Sequence, residues 1–514
     1  MSIDRLDDLR QRKEKIRRGG DPKAIEKLRS EGKLTARERI ERFFDPGSFV
    51  ELGMFVKHRI TQYGMDKREI PAEGVITGYG KVDGRTVFAF AQDFTAFGGT
   101  FGEMHGLKIC DLMDRAVDVG APVVGMSHSG GARLNEVLLS QDAFGYMFYR
   151  NSIYSGVIPQ ISAIMGSVGG GQSYSPGLTD FIIMTKDSYM YIAGPAFVET
   201  NIGEKATEAE LGGASMHSQV SGVCHVVADD DKDCLLKIRE LLSYLPSSNR
   251  EKPPFVDTGD DSNRKDEELN NILPPQTNQP YDMKTILSRI VDNGRLFEIH
   301  AGWAPNMIVG FARLGGYSVG IVANQPLVSA GSINVWAAEK ASRFIRFCDA
   351  FNIPVIYFQD TPGYLIGTQQ ERLGMIYRGA TLLYATSEAT VPKITIVVRK
   401  AHAGAFISMG SKMLGTDQVY AWPTAEISGG SAATFGSIIF RREIAAAENP
   451  EEKRQQLIKE FSDKYYNPYR SAEIYHTDDV IEPWETRPRL VSALEMLKDK
   501  KRELPWKKHS NQPY

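Results

Sequence analysis

The stretch GVIPQISAIMGSVGGGQSYSPGLTDF, residues 156–181, decides the fold. Its apolar run VIPQISAIM predicts a buried strand, and the residues after Gly171 predict that a helix opens at the edge of a layered α/β sheet. Gly169, Gly170 and Gly171 strip this junction of side chains, and no Lys-Ser/Thr pair follows them as a phosphate loop requires. The stretch therefore predicts a junction at which bare backbone approaches a ligand.

A second stretch, ATVPKITIVVRKAHAGAFISMGSKML (389–414), has the same pattern. Pro122 and Pro354 precede equivalent predicted strands 232 positions apart, and Pro159 and Pro392 stand 233 positions apart. This nearly constant offset predicts two copies of one α/β fold, each alternating apolar strands with amphipathic helices.

The copies are expected to occupy residues 1–255 and 256–514, with a Pro-, Asn- and charge-rich linker at 246–282. The first 45 residues are expected to form exposed helices, and residues 449–466 a surface helix. An apolar stripe in the stretch 109–119 predicts core packing of one helix face. Its members are Ile109, Leu112, Met113, Ala116 and Val117.

Composition excludes several classes of function. The net charge is −3, from 61 basic and 64 acidic residues, which favours neither nucleic acid nor an anionic membrane. No apolar run approaches the ~20 residues of a membrane span, and the N-terminus has no apolar signal core. The four cysteines fit neither a disulfide framework nor a zinc site, so buried thiols are expected. We expect a soluble cytoplasmic protein.

Side-chain catalysis finds little support in the sequence. Ser129 and His128 in SHSGGAR lack the Gly-x-Ser-x-Gly spacing of a nucleophile elbow, so a turn is the favoured interpretation. The nine histidines show no metal-ligand spacing, and no metal is expected. The glycine cluster also lies too far along its domain for a Rossmann dinucleotide fingerprint.

Small residues at strand-to-helix junctions occur in both copies. The first copy has SGGAR (129–133) and GGGQS (169–173), and the second has DTPGYLIGTQQE (360–371) and HAGAF (402–406). The first N–H groups of a helix are unpaired donors, and two of them directed at a carbonyl form an oxyanion hole. Close helix–strand packing would explain one such junction, whereas their duplication favours two oxyanion holes.

The chain resembles the biotin-dependent acyl-CoA carboxyltransferase family, which includes propionyl-CoA carboxylase β subunits and methylmalonyl-CoA and glutaconyl-CoA decarboxylase α subunits. The similarity runs nearly end to end. The phrases that carry it include GKLTARERIERFFDPGSFVELG (32–53), DFTAFGGTFGEMHGLKI (93–109), SGGARLNE (129–136), YSPGLTDF (174–181), RFIRFCDAFNIPVI (343–356), AWPTAEI (421–427) and PWKKHSNQP (505–513).

The resemblance implies two tandem crotonase-like superhelical domains, with acyl-CoA on the N-terminal side and biotin on the C-terminal side. It implies transfer of CO2 between carboxybiotin and the α-carbon of a short-chain acyl-CoA through an enolate. The amides of Gly169, Gly170 and Gly171 would hold the thioester oxygen, and those of Gly404 and Ala405 the biotin ureido oxygen. His402 and Ala403 would also belong to the biotin-binding site. The loop of Gly130, Gly131, Ala132 and Arg133 would shape the CoA end.

The resemblance also implies partners. The sequence contains no Ala/Val-Met-Lys-Met biotinylation site and no recognisable ATP-binding segment. Biotin would therefore be carried by a biotin carboxyl carrier protein or subunit. A biotin carboxylase subunit or a membrane decarboxylase subunit would complete the enzyme around a homohexamer, a dimer of trimers.

Departures from the family pattern concern the substrate. The family often has RKAYGGAY followed by Asp or Cys, whereas this chain has RKAHAGAFISM, with Ile407 at the position linked to acyl-chain preference. Ile407 removes a polar group at this position, so we expect it to tolerate apolar chains, and we expect His402 to be a packing substitution. Residues 428–436, SGGSAATFG, replace the usual AVMGxxGAV and put a propionyl assignment in doubt.

Three alternatives remain open. A sodium-pumping decarboxylase runs the same half-reaction in reverse. A crotonase-type hydratase or thioesterase usually has one such domain and a placed carboxylate. A scaffold that holds a biotin carrier without turnover would not need both junctions.

Overall fold

The computed structural model describes residues 3–513. The chain divides into two compact units, Met1–Glu251 and Lys252–Tyr514. The boundary lies four residues before the predicted one, between residues 251 and 252 rather than 255 and 256.

Over residues 3–251, the first unit contains one eight-stranded sheet and ten α-helices. Its strands are β1 (Val50–Leu52), β2 (Val75–Val82), β3 (Arg85–Gln92), β4 (Val123–Ser129), β5 (Gln160–Gly169), β6 (Phe181–Thr185), β7 (Tyr189–Tyr191) and β8 (Val226–Ala228). Its helices are α1 (Ile3–Arg17), α2 (Pro22–Ser30), α3 (Ala36–Phe43), α4 (Glu103–Val119), α5 (Leu138–Ile153), α6 (Tyr174–Gly177), α7 (Pro195–Ile202), α8 (Glu208–Gly212), α9 (Ala214–Met216) and α10 (Asp231–Tyr244).

The second unit has the same plan. Its strands are β9 (Leu296–Ile299), β10 (Met307–Leu314), β11 (Tyr317–Asn324), β12 (Val355–Thr361), β13 (Lys393–His402), β14 (Gln418–Ala421), β15 (Glu426–Ser428) and β16 (Asp479–Val480). Its helices are α11 (Met283–Ile290), α12 (Val335–Ala350), α13 (Thr368–Arg372), α14 (Met375–Glu388), α15 (Ala403–Ser408), α16 (Ala432–Ile439), α17 (Arg441–Ala446), α18 (Pro450–Tyr465), α19 (Pro468–Glu473) and α20 (Thr486–Leu497).

The two sheets share one topology. The strand order is β1-β2-β3-β4-β5-β6-β8 with β7 paired to β5, and β9-β10-β11-β12-β13-β14-β16 with β15 paired to β13. In each sheet the first three strands are antiparallel and the others parallel. Phe88 pairs with Val123 in the first sheet, and Gly320 pairs with Val355, 232 positions later, in the second. The predicted duplication is confirmed at the level of register.

Amphipathic helices cover these sheets as the sequence predicted. In α4 the residues Ile109, Leu112, Met113 and Ala116 are buried and pack in one cluster with strand side chains such as Phe88. Gly120 ends α4 in a left-handed conformation, as is common at helix C-termini.

The N-terminal region differs partly from the expectation of exposed helices. Thr35 and Glu38 form a capping box at the start of α3, which buries Ile40 and Phe43. Arg39 of α3 is buried and forms an ion pair with Asp231 at 2.9 Å. The prediction is therefore wrong for α3, because one face of this helix packs into the first unit.

The segment predicted as a linker has little regular structure but packs on the second unit from residue 252 onwards. Val256 donates its N–H to Gly316 O at 3.1 Å, and Leu269 is buried in the main core cluster of that unit. The predicted surface helix over 449–466 is confirmed as α18, in which Leu457 is the buried residue.

Candidate active site

The glycine junction of the first unit is a strand end followed by a helix start. β5 ends at Gly169, a 3-10 turn spans Gly170–Ser173, and α6 follows. Gly170 has a left-handed φ of 64°, which glycine adopts without strain. The first N–H groups of such a turn have no partner within it, so they are available to an acceptor. The three glycines are half-buried, and the predicted strand-to-helix junction is confirmed.

The loop of Gly130, Gly131, Ala132 and Arg133 lies beside this junction. It follows β4, whose last residue Ser129 pairs with Val168 of β5. Three of the four loop amides are already occupied. Gly130 N–H donates to Gly98 O at 2.9 Å, Gly131 N–H to Ser129 Oγ at 3.1 Å and Arg133 N–H to Phe101 O at 2.9 Å. The loop can therefore shape a site, whereas these three amides do not offer free donors.

Arg133 is enclosed by acidic partners. Its side chain is fully buried, contacts Glu73 and lies 2.8 Å from Glu136. It also donates to Thr100 O at 2.9 Å. A buried guanidinium with these partners holds the loop in place and is not free to bind a phosphate of a ligand.

His128 and Ser129 are the last residues of β4 and not part of a turn, although Ser129 Oγ accepts the N–H of Gly131 in the loop that follows. Ser129 Oγ donates to Gly99 O at 2.7 Å and is fully buried. The His128 ring stacks on Phe94 with centroids 4.2 Å apart, and burial holds the pKa of His128 well below its usual value. The hydroxyl and imidazole thus stabilise the end of β4.

The equivalent junction of the second unit lies between β13 and α15. Ala403 occupies the position of Gly170 and has the same left-handed backbone, with a φ of 53°. Gly404 is exposed, whereas Ala405 is buried. Ile407 is partly buried and packs against a cluster that contains Phe406 and Ala425.

His402 and Glu426 flank this junction. His402 Nε2 lies 3.7 Å from Glu426 Oε2, too far for a hydrogen bond, and has no hydrogen-bond partner among the described residues. Burial, helped by Lys400, lowers the pKa of His402 to about 4, and burial raises the pKa of Glu426. The orphaned buried nitrogen beside the first amides of α15 fits a site that receives a polar ring such as biotin.

Two neighbours of the first junction were missed from the sequence. Gln172 is buried, and its Oε1 finds no hydrogen-bond partner within residues 3–513. Tyr191 of β7 lies against Gly169. No local motif marks either residue, and only the pairing of β5 with β7 brings Tyr191 to the junction.

The described residues contain no group of three His, Cys, Asp or Glu that could hold a metal ion. No helix among residues 3–513 is long and apolar enough to cross a membrane. All four cysteines are free and buried, in agreement with the sequence prediction.

Two α/β units with the same topology, each with a small-residue junction, define a tandem-domain enzyme fold. Residues 27–512 match the model of the carboxyl transferase domain. This chain belongs to the carboxyl transferase family.

Individual relatives are similar over nearly the whole chain. The propionyl-CoA carboxylase carboxyltransferase subunit of Haloferax mediterranei is 50% identical over 511 residues, 99% of each chain. The methylmalonyl-CoA decarboxylase alpha subunit of Veillonella parvula is also 50% identical over 511 residues, 99% of each chain.

A solved structure of transcarboxylase 12S, described as a hexamer with methylmalonyl-coenzyme A and methylmalonic acid bound, matches with a TM-score of 0.98 and 46% identity. The match covers 100% of this chain and 99% of that one. The predicted family, the fold class of two tandem crotonase-like domains and the carboxyltransferase class of enzyme are confirmed.

Proposed function

We propose that this chain is the carboxyltransferase component of a biotin-dependent acyl-CoA carboxylase. It would move a carboxyl group between biotin and the α-carbon of a short-chain acyl-CoA, of the propionyl-CoA and methylmalonyl-CoA type. The observation that carries the proposal is the pair of equivalent junctions, with left-handed Gly170 in one unit and left-handed Ala403 in the other.

The first unit would bind acyl-CoA. The amides of Gly169, Gly170 and Gly171 would hold the thioester oxygen as it becomes an enolate. Each well-placed donor of this kind contributes about 3 kcal/mol to transition-state stabilisation. The loop 130–133 would shape the CoA end, with Arg133 acting through its buried contacts rather than by touching CoA.

The second unit would bind biotin carried on another protein. The amides of Gly404 and Ala405, beside Ala403, would hold the ureido oxygen, and neutral His402 would offer its unpaired Nε2. The chemistry that biotin supplies when bound is carriage of the carboxyl group and acceptance of the α-proton. The residues of this chain supply orientation and hydrogen-bond donors, and no side chain is needed as a base.

Ile407, although it belongs to the biotin-side unit, would set the preference for acyl chains on the acyl-CoA bound by a neighbouring subunit of the hexamer. It lies on α15 directly after Phe406 and is partly buried among apolar residues. An apolar side chain here favours apolar acyl groups, because a polar substituent would lose its hydrogen bonds to water without replacement.

The assembly would be a homohexamer, a dimer of trimers, working in the cytoplasm with a biotin carboxyl carrier protein and a biotin carboxylase subunit. Leu134 and Ile366, at equivalent positions of the two copies, are 83% and 87% exposed. Val137 and Leu138, close to Leu134 in the chain, are also 57% and 70% exposed, and a cluster of exposed apolar side chains favours burial at a subunit interface. The net charge of −3 gives no support to a nucleic-acid partner.

A decarboxylase is the second candidate. The decarboxylase alpha subunit of Veillonella parvula is as similar as the carboxylase subunit of Haloferax mediterranei, at 50% identity each. In that case the chain would run the same half-reaction in reverse beside a membrane decarboxylase subunit.

The test uses the purified full chain with free biotin and a panel of malonyl-, methylmalonyl- and glutaconyl-CoA. We expect biotin-dependent decarboxylation of at least one of them. The reaction is measured as the disappearance of the carboxylated CoA ester. A folded hexamer that turns over none of these compounds would contradict the proposed substrate class.

Gly170→Val tests the junction itself. We expect turnover to fall by a factor of about 100 or more, because loss of one oxyanion donor typically lowers kcat by ~10²–10³. Assembly of the subunits should be unchanged. Gly47→Val is the matched control, because Gly47 is also left-handed (φ 75°) and has no atom within 4 Å of an added Cβ. Equal activity of the two variants would remove the junction from the active site.

A further inference from the structure

The ring of Tyr191 lies against Gly169 of the acyl-side junction and against Gly194. Tyr191 on β7 pairs directly with Gly169 on β5. A Cβ added at Gly169 would lie 3.1 Å from the Tyr191 ring, and one added at Gly194 would lie 3.4 Å from it. A Cβ added at Gly212 would lie 2.1 Å from Met190 O and 3.1 Å from the Tyr191 Cβ, so Gly212 faces the backbone of β7 and not the ring. A methyl group at position 169 would therefore crowd this ring, whereas one at position 194 would make an ordinary van der Waals contact with it.

The hydroxyl of Tyr191 is held at two points. Ser167 Oγ lies 2.8 Å from it, and the hydroxyl donates to Glu208 Oε1 at 2.8 Å. Ser167 stands two residues before Gly169 on the same strand. Glu208 begins α8, whose start is secured by a capping box between Thr207 and Glu210. The ring is therefore anchored both to the strand that ends in the glycines and to a separate helix.

In the second unit the ring-bearing residue and the small residue of this strand pair exchange places. His402 takes the place of Gly169, and it pairs with Ser428, which takes the place of Tyr191. The aromatic ring comes from the outer strand in the first unit and from the junction strand in the second. In both units a small residue therefore pairs with a residue that carries a ring.

We propose that Tyr191 is a positioning residue of the acyl-side oxyanion hole, an inference that rests on the proposed function. Its ring sets the place of Gly169, and through it the direction of the Gly170 and Gly171 N–H groups. Ser167 and Glu208 set the place of the ring. Because an oxyanion hole acts only when its donors are already aligned, a small shift of Gly169 lowers the rate of the chemical step more than it lowers affinity.

A double-mutant cycle tests this contact. The variants are Gly169→Ala, Tyr191→Ser and the pair together, and the measurements are kcat and KM for the acyl-CoA that the wild type turns over best. We expect Gly169→Ala to lower kcat at least 10-fold with KM changed less than 3-fold. Tyr191→Ser should lower kcat about 10-fold, less than the ~100-fold that a misplacement of about 1 Å can cost. The double variant should be no slower than Tyr191→Ser, because the added methyl then fills vacated space.

Strictly additive losses, or an unchanged kcat in Tyr191→Ser, would overturn the proposal. Tyr191→Phe keeps the ring and removes the hydroxyl, and so remains informative where Tyr191→Ser does not fold. In that background Gly169→Ala should still lower kcat 10-fold, since the ring still blocks the methyl. Loss of that effect would contradict the steric argument.

The hydroxyl contacts are tested separately. Tyr191→Phe and Glu208→Leu, which each remove the hydrogen bond between the hydroxyl and the carboxylate, should each lower kcat about 3-fold, and the pair should fall no further than either alone. Tyr189→Phe, on the same strand but paired with Ser167 rather than Gly169, is the control and should keep wild-type kcat. A wild type that shows no carboxyl transfer at all would refute the proposed function, whereas an active wild type without coupling between residues 169 and 191 would refute this inference alone.

Discussion

Ala403 has a backbone conformation that alanine disfavours. Its φ of 53° matches the 64° of Gly170 at the equivalent position, so the fold demands a left-handed residue in both copies. An L-residue with a Cβ loses about 1–2 kcal/mol in this region. The second unit therefore holds backbone strain at its junction, as ligand-binding sites often do.

Removal of this strain should stabilise the protein. Ala403→Gly is expected to raise the free energy of unfolding by about 1 kcal/mol, and Gly170→Ala to lower it by a similar amount. Denaturant unfolding of the two variants beside wild type checks the signs. Ala405→Gly, in the same helix but with ordinary φ, should lower stability instead. An Ala403→Gly variant no more stable than wild type would contradict the argument.

His402 should make stability depend on pH. Its pKa falls to about 4 in the folded protein, below an ordinary value of about 6.5, so the unfolded chain binds more protons between these values. Stability is therefore lost as pH falls from about 6.5 towards 4, by about 2 kcal/mol at pH 5. The measurement is the melting temperature against pH for wild type and His402→Gln. The difference between the two curves should change over this window, and parallel curves would contradict it.

The loop 130–133 is an element whose shape depends on one buried charge. Arg133 and Glu73 are 60 positions apart, and both side chains are fully buried. Loss of one member of such a group leaves an uncompensated buried charge, which typically costs about 3–5 kcal/mol. The ion group therefore explains why the loop keeps its shape beside the glycines.

Arg133→Met should lower the free energy of unfolding by about 3 kcal/mol. The matched control is Arg115→Met, whose partner Asp111 lies one helical turn away and whose side chain is 55% exposed. Exposed helix pairs contribute about 0.3–0.5 kcal/mol, so this control should be nearly neutral. Similar losses in both variants would show that burial of the Arg133 group has no special effect.

Elements with a strong local pattern were predicted well. β5 and α4 follow from an apolar run and an apolar stripe, and the junction at Gly169 lies where the glycines begin. Irregularities escaped prediction, because the register shifts between Ser127 and Ser129 and between Gln359 and Thr361 depend on the neighbouring strand. The face buried by α3 was missed for the same reason, since its partner Asp231 is remote in sequence.

At the scale of the whole molecule, the four thiols should be unreactive while the protein is folded. All are buried, and burial raises the pKa of Cys110 to about 11 and that of Cys224 to about 12. The thiolate is the reactive form, so almost none is present at pH 8. We expect Ellman's reagent to titrate no thiol rapidly in the folded protein and four after denaturation. Rapid reaction of one thiol in the folded protein would contradict this expectation.

The sequence by itself determined the two copies, the small-residue junctions and the family, because strand and helix periodicity and chain-length repeats are local or regularly spaced signals. The tertiary structure decided which side chains surround the junctions. Arg133 meets Glu73, and Tyr191 meets Gly169, through contacts that no local pattern encodes. The offset between copies even changes after the junction, since Tyr191 corresponds to Ser428, 237 positions later. Such contacts depend on strand register, and register is set by the packing of the whole sheet.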